Sequence, residues 1–154
     1  MPILDETDLT ILSLLQPDAR MQNTVLAKEV GMAPSAVLER VRKLEEKGII
    51  SSYTTNINPA SLDLKLLAFI FIKSSTGPGN ENVGKQLLKM PEVLELHNIA
   101  GEDCYIIKVR STDTQALAHF MRTRLGKIQG IVSTKSTIVL ETLKEDNYLP
   151  IAKP

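Results

Sequence analysis

Aromatic side chains make up only 4% of the 154 residues, none of them tryptophan, and there is one cysteine, Cys104. A lone cysteine excludes an internal disulfide, and with it the disulfide-stapled secreted scaffolds; a reducing compartment is the expected home. Long apolar runs are also missing. The longest, Leu66 to Ile72, falls far short of the ~20 residues that span a bilayer. The opening MPILDETD is acidic and lacks the basic-then-apolar order of a secretory signal, so a cytoplasmic location with no membrane partner is expected.

Charge of either sign is not in excess. Lys plus Arg number 18 and so do Asp plus Glu; residues 1–60 hold 6 basic and 8 acidic side chains, residues 61–154 hold 12 and 10. Bulk charge therefore gives no support to a nucleic-acid partner, and any such case must come from local placement. The catalytic inventory is poor as well. The two histidines, His97 and His119, lie far apart in sequence, and with Cys104 they give neither a metal-ligand spacing nor a nucleophile–base pair. The stretch TGPGN lacks the lysine and the following helix of a phosphate-cradling loop. No cofactor, no metal and no enzymatic activity are expected.

What is present suits a globular chain: 43% hydrophobic and 23% charged residues over a length fit for one ordinary domain or two small ones. The first half reads as three helices. In LDETDLTILSLLQPDAR, Asp5 is a good N-cap, Asp8 stands at the capping-box distance, Leu4 can staple onto Leu9, and Leu9, Leu12 and Leu15 recur on one side until Pro17. In QNTVLAKEVG, Gln22 or Asn23 caps, Leu26 and Val30 face inward, and Gly31 supplies a left-handed stop. The third helix opens on Pro34 and ends at Gly48, and the ~3 residues before it match the turn of a helix-turn-helix. IISSYTTNINP reads as a small wing or connecting strand.

The second half echoes itself. Strand LKLLAFIFIK, turn SSTGPGN, helix ENVGKQLLKM and strand PEVLELHNIAG are followed by strand CYIIKVR, helix TQALAHFMRTRL, turn KIQG and strand IVSTKSTIVL. Two such units make a ferredoxin-like βαββαβ domain, so the fold class is α+β. The strands are apolar in runs rather than alternating, which predicts that both sheet faces are buried, with a partner subunit as the cover. The Asn, Pro and Ser punctuation after the wing puts the domains at 1–55 and 65–154, joined by a linker over 56–64.

Projected at 100° per residue, the third helix gathers Val37, Val41 and Leu44 on one side with Leu38 at the flank, and Ser35, Ala36, Glu39 and Lys43 opposite, with Arg40 at the other flank. A polar helix face is most often only a solvated one. Here it follows a tight turn and a preceding helix, as the reading helix of a DNA-binding unit does. In that setting Ser35 and Ala36 permit close approach to base edges, Glu39 accepts from cytosine N4, and Arg40 or Lys43 reaches guanine or phosphate; on the solvated-face reading Arg40, near the core edge, pairs instead with an acid of the first helix. Gln22, Asn23 and Thr24 offer helix N-terminal N–H groups to a phosphate oxygen. In AGEDC, the Gly101 backbone beside Glu102 and Asp103 could grip the carboxylate and ammonium of an amino acid, or form a solvated acidic turn; the pattern alone leaves both open.

The order LDETDLTIL, DAR, LAKEVGMAPSAVLERVRKLEEKGIISSYTTNINP, then PEVLELHNIAGEDCYIIKVR and IQGIVSTKSTIVL, resembles the leucine-responsive/asparagine regulator (Lrp/AsnC) family from about Leu4 to Pro150. The resemblance implies an N-terminal winged helix-turn-helix domain on promoter DNA and a C-terminal effector domain. It implies dimers through the sheet, assembled further to tetramers or octamers, and an amino-acid effector at subunit contacts held by Gly101, Glu102, Asp103 and Cys104 with Thr134 and Ser136 of the last strand. The chain departs from the family pattern at Ala33, where a serine cap is common, at Leu38, where a small polar residue is common, and in the loop, where the carboxylates follow the glycine directly. Siroheme-type decarboxylases of haem precursors resemble the same two-domain build. They would require basic and histidine residues around a tetrapyrrole, which two dispersed histidines fit poorly.

Overall fold

Asp5 starts the first helix, α1 (Glu6–Leu15), by the expected capping box: its carboxylate accepts from the Asp8 N–H at 2.8 Å, and the Asp8 carboxylate accepts from the Asp5 N–H at 3.4 Å. Helix α2 (Asn23–Val30) stops on Gly31, whose φ of 66° is left-handed territory that a glycine enters without a Cβ penalty. Helix α3 (Pro34–Glu46) carries proline in its first turn. The computed structural model describes residues 4–75 and 81–151. They form two units: residues up to Asn56 together with those from Lys144 onward, and Ile57–Leu143.

In the first unit the three helices enclose Ile11, Leu15, Leu26, Ala27, Val37, Val41 and Leu44. The inward side of α1 differs from the expected one. Ile11 is fully buried with Leu15, while Leu9 and Leu12 are only half-buried. Residues 51–58 form no strand; the Tyr53 hydroxyl donates to the Glu45 carboxylate at 2.7 Å and holds the segment's start on α3. The C-terminal segment, read from sequence as part of the second domain, belongs to this unit. Gln16 clasps Leu149 from both sides, its Nε2 donating to the Leu149 carbonyl at 3.0 Å and its Oε1 accepting from the Leu149 N–H at 2.6 Å.

A third tie joins α3 to the start of α1. Arg40 Nη1 lies 2.7 Å from both Asp5 Oδ2 and Asp8 Oδ1. The Asp8 N–H, and after it the Arg40 guanidinium, hold the Asp5 carboxyl below its ordinary 3.8. A folded-state pKa below the unfolded one adds stability that is present above the unfolded value and lost as pH falls through the folded one. Asp5→Asn is therefore expected to lower the urea midpoint of this unit at neutral pH, with the difference from the native chain shrinking as pH falls below 3.8 and through the lower folded-state value. Circular dichroism over that range checks it.

The second unit is a four-stranded antiparallel sheet in the order β2-β3-β1-β4, built from β1 (Leu66–Ser74), β2 (Val93–Asn98), β3 (Tyr105–Ser111) and β4 (Ile131–Val139). Helices α4 (Glu81–Leu87) and α5 (Thr114–Thr123) supply the crossovers, so the expected βαββαβ order is present. Residues 76–80 of the expected turn SSTGPGN lie outside the described residues. Alternate residues of the central strands, Ala68, Ile70, Ile72, Ile107 and Val109, pack with Val83, Leu87, Leu117 and Phe120. A Cβ on Gly84 would stand 3.3 Å from the Tyr105 hydroxyl, so this glycine lets α4 approach the sheet.

The opposite face is not buried to the same extent. Phe69, Phe71 and Ile106 are half-buried there, Lys135 Nζ lies 5.1 Å from the centroid of the Phe71 ring, and Lys108 pairs with Glu95 at 2.9 Å. Within one chain, then, the sheet has one covered face and one that is partly apolar and partly charged.

Candidate DNA-reading face and ligand site

The outer side of α3 is open to solvent at Ser35, Leu38, Arg42, Lys43 and Glu46 and half-open at Ala36 and Glu39. Pro34 and the apolar seam fix this orientation, because burying Val37, Val41 and Leu44 leaves the remaining stripe outward. Neither Gln22, the N-cap of α2, nor Ala33, the N-cap of α3, makes a side-chain capping bond, so both helix starts keep N–H groups for an outside acceptor. Asn23 is half-buried at the start of α2, and Gln22 and Thr24 are exposed beside it.

Charges on the face are paired within the helix. The Arg42 guanidinium donates through Nε and Nη2 to Glu39 at 3.0 and 2.9 Å and through Nη1 to Glu46 at 2.6 Å. Lys43 Nζ is 3.6 Å from the same Glu39 carboxylate. Arg42, then Lys43, hold the Glu39 carboxyl below its ordinary range. Sequence reasoning missed Arg42. The signal was available, since it stands three residues after Glu39 and four before Glu46, where helical neighbours meet. Arg40 had two readings, a contact to base or phosphate and a pair with an acid of the first helix; the structure shows the second, with Asp5 and Asp8, because its position at the flank of α3 faces the start of α1.

The loop between β2 and β3 is closed by two backbone bonds: the Ile99 N–H donates to the Cys104 carbonyl at 3.0 Å, and the Cys104 N–H donates to the Ile72 carbonyl at 2.9 Å. Between them Gly101 has φ 145°, with nothing within 4 Å of where a Cβ would sit. Glu102 is exposed and Asp103 half-buried. Cys104 leaves the expected ligand set: it is 4% exposed in the sheet core, and its Sγ accepts from the Ser74 N–H at 3.5 Å. Thr134 pairs with Ile72, which also pairs with Tyr105, so the ladder brings Thr134 to the loop's end of the sheet. Two strand spacings, roughly 10 Å, separate their rows. Ser136 sits one step inward opposite Ile70, and its hydroxyl donates to Met121 Sδ at 3.1 Å on α5.

A cavity of about 360 Å³ opens at the other end of β3, between Val109, Ala116, Leu117, Phe120 and His119. His97 pairs instead across from Ile106 and lies 3.5 Å from Glu95, on the face away from the helices. The two histidines therefore do not converge on one pocket. Among the described residues no group of three or more His, Cys, Asp and Glu side chains could hold a metal ion, and no helix is long and apolar enough to cross a membrane.

An open reading helix in one unit and a crossover sheet with a glycine-acid loop in the other define a DNA-binding regulator with a ligand-binding domain. Residues 4–51 match the description "Winged helix-turn-helix DNA-binding" and residues 67–149 match "Lrp/AsnC ligand binding domain". The HTH-type transcriptional regulator FL11 of Pyrococcus furiosus is 35% identical over 149 residues, covering 97% of each chain. The leucine-responsive regulatory protein of Escherichia coli is 37% identical over 150 residues, 96% of this chain and 92% of its own. Among solved structures, a Neisseria meningitidis transcriptional regulator in complex with L-methionine is 34% identical with a TM-score of 0.91, covering 96% of this chain and 97% of its own. Escherichia coli AsnC is 28% identical with a TM-score of 0.90, covering 96% and 99%. The chain belongs to the Lrp/AsnC family of transcriptional regulators.

Proposed function

We propose that this regulator reads promoter DNA with the outer face of α3 as part of a symmetric dimer, assembled further to a tetramer or octamer, and that an amino acid bound beside residues 101–103 shifts its DNA affinity. The observation that carries the DNA reading is the exposure of Ser35, Ala36, Glu39 and Lys43 on one stripe, above a fully buried seam. The uncapped starts of α2, at Gln22, Asn23 and Thr24, and of α3 supply N–H donors for flanking phosphates. The amino-acid reading rests on the neisserial neighbour's L-methionine and on the Gly101 loop, whose exposed glycine and two carboxylates suit an amino acid's two charges. Thr134 lines the same end of the sheet, with Ser136 behind it. This reading makes the chain a binding protein of the cytoplasm, where DNA is reached, rather than an enzyme.

Fluorescence anisotropy on duplexes selected from a random pool, with and without each of the twenty amino acids, tests it. One amino acid is expected to change DNA affinity roughly five- to 150-fold, the usual range of such coupling. Asp103→Ala is expected to remove that response while leaving ligand-free DNA affinity unchanged. A response that survives the substitution moves the ligand elsewhere.

A further inference from the structure

We infer that Arg42 is a specificity-determining residue that reads guanine end-on, and that Glu39 is the positioning residue that aims it. The inference rests on the DNA-reading assignment of α3 and deepens it. Helices that lie in the major groove present side chains spaced i, i+3, i+4 and i+7 to the base edges. Ser35, Leu38, Glu39 and Arg42 are that set, and the first turn leaves it unobstructed, since Ser35 is exposed and Ala36 half-open.

The atoms decide the roles. Glu39 occupies the side edge of the guanidinium, Oε2 accepting from Nε at 3.0 Å and Oε1 from Nη2 at 2.9 Å. Both of its oxygens are thereby committed, which makes it a poor independent partner for cytosine N4. Glu46 takes only Nη1, at 2.6 Å. The end edge, Nη1 with the second hydrogen of Nη2, is the donor pair that matches guanine O6 and N7. Releasing Glu46 frees that edge while Glu39 still fixes the plane of the fork. All three side chains are about half exposed, so the Glu46 pair is the weakly held kind that a better acceptor displaces. Two further consequences follow. The Glu39–Arg42 pair enters the groove with no net charge, so its contribution is discrimination rather than phosphate attraction. Leu38, 54% exposed beside it, is left to contact a thymine methyl.

The test uses the full chain and a site selected from a random duplex pool, followed by affinities for every single-base change over a range of salt. The native protein is expected to fix guanine at one position of each half-site. Arg42→Ala should erase the preference at that position and weaken the selected site roughly five- to hundredfold, with the salt slope nearly unchanged. Glu39→Ala should relax the same position, and Glu46→Ala should leave it intact. Arg42→Lys, which keeps the charge without the fork, should not restore it. Thermal melts of each variant confirm that the helix still forms. A uniform loss over all sequences with a slope smaller by about one would make Arg42 a phosphate contact and overturn the inference. So would Glu39→Ala relaxing a different position. A native chain with no sequence preference at all would remove the reading of α3 itself.

Discussion

Phe71→Glu is expected to leave a folded single chain that no longer associates and that binds a two-half-site duplex roughly 10²- to 10⁴-fold more weakly. The residue is half-buried on the sheet face away from the helices, between Phe69 and Ile106. In an isolated unit the new carboxylate finds Lys135, whose Nζ already lies 5.1 Å from the ring centroid, so the fold has a place for the charge. Against a second copy it would have to shed water beside apolar surface, which costs several kcal/mol even when a partner is near. Loss of the proposed dimer would then forfeit the effective concentration that joins two half-sites, and that is the source of the large factor. Light scattering and a gel shift read the two consequences separately. A variant that stays dimeric with full affinity would place the subunit contact on another surface.

Leu26→Ala should have the second large effect, and on the other unit. Leu26 is 0% exposed among Ile11, Val37 and Leu44. Truncating a buried leucine costs about 2–5 kcal/mol, depending on how far the site collapses. A unit of this size holds only about 3–9 kcal/mol in all, at ~0.05–0.15 kcal/mol per residue. Most of the DNA-reading unit is expected to be unfolded at 37 °C, whereas the sheet, with its separate core, keeps its melting transition and the proposed amino-acid binding. Calorimetry of the native chain and the variant would show the lower transition displaced or gone. A DNA affinity within twofold of native would mean that α2 relaxes around the gap far better than its packing allows.

The sequence exposed those features whose cause is local. The capping box needs only residues three apart, and both carboxylates were visible; Gly31 announces its own left-handed turn. The sheet was legible because apolar runs of strand length alternate with helical ones, which leaves few ways to wind the chain. Misreadings came from partners distant in sequence. Ile11 sits in TILSLL, where apolar residues lie on every side of the helix, so periodicity could not say which one faces Leu26. Arg40 pairs with Asp5 and Asp8 from more than thirty residues away; its place at the core edge allowed an acid of the first helix, but a helical wheel of α3 alone could not choose between that pair and DNA. Cys104 looked like a loop residue until its N–H paired with Ile72 and turned the thiol toward the core. The segment after Gly48 has strand composition but no ladder partner among the described residues. For the reading face the reverse holds: Arg42 was legible all along from its spacing to Glu39 and Glu46.

The Gln16 clasp on Leu149 carries a practical warning for anyone shortening this protein. Ending the gene just past β4 would look harmless, since every strand and helix would survive. Yet α1 would lose its companion from the far end of the chain, and a bulky tag fused there would sit against the DNA-contacting half rather than dangle from the ligand-sensing one.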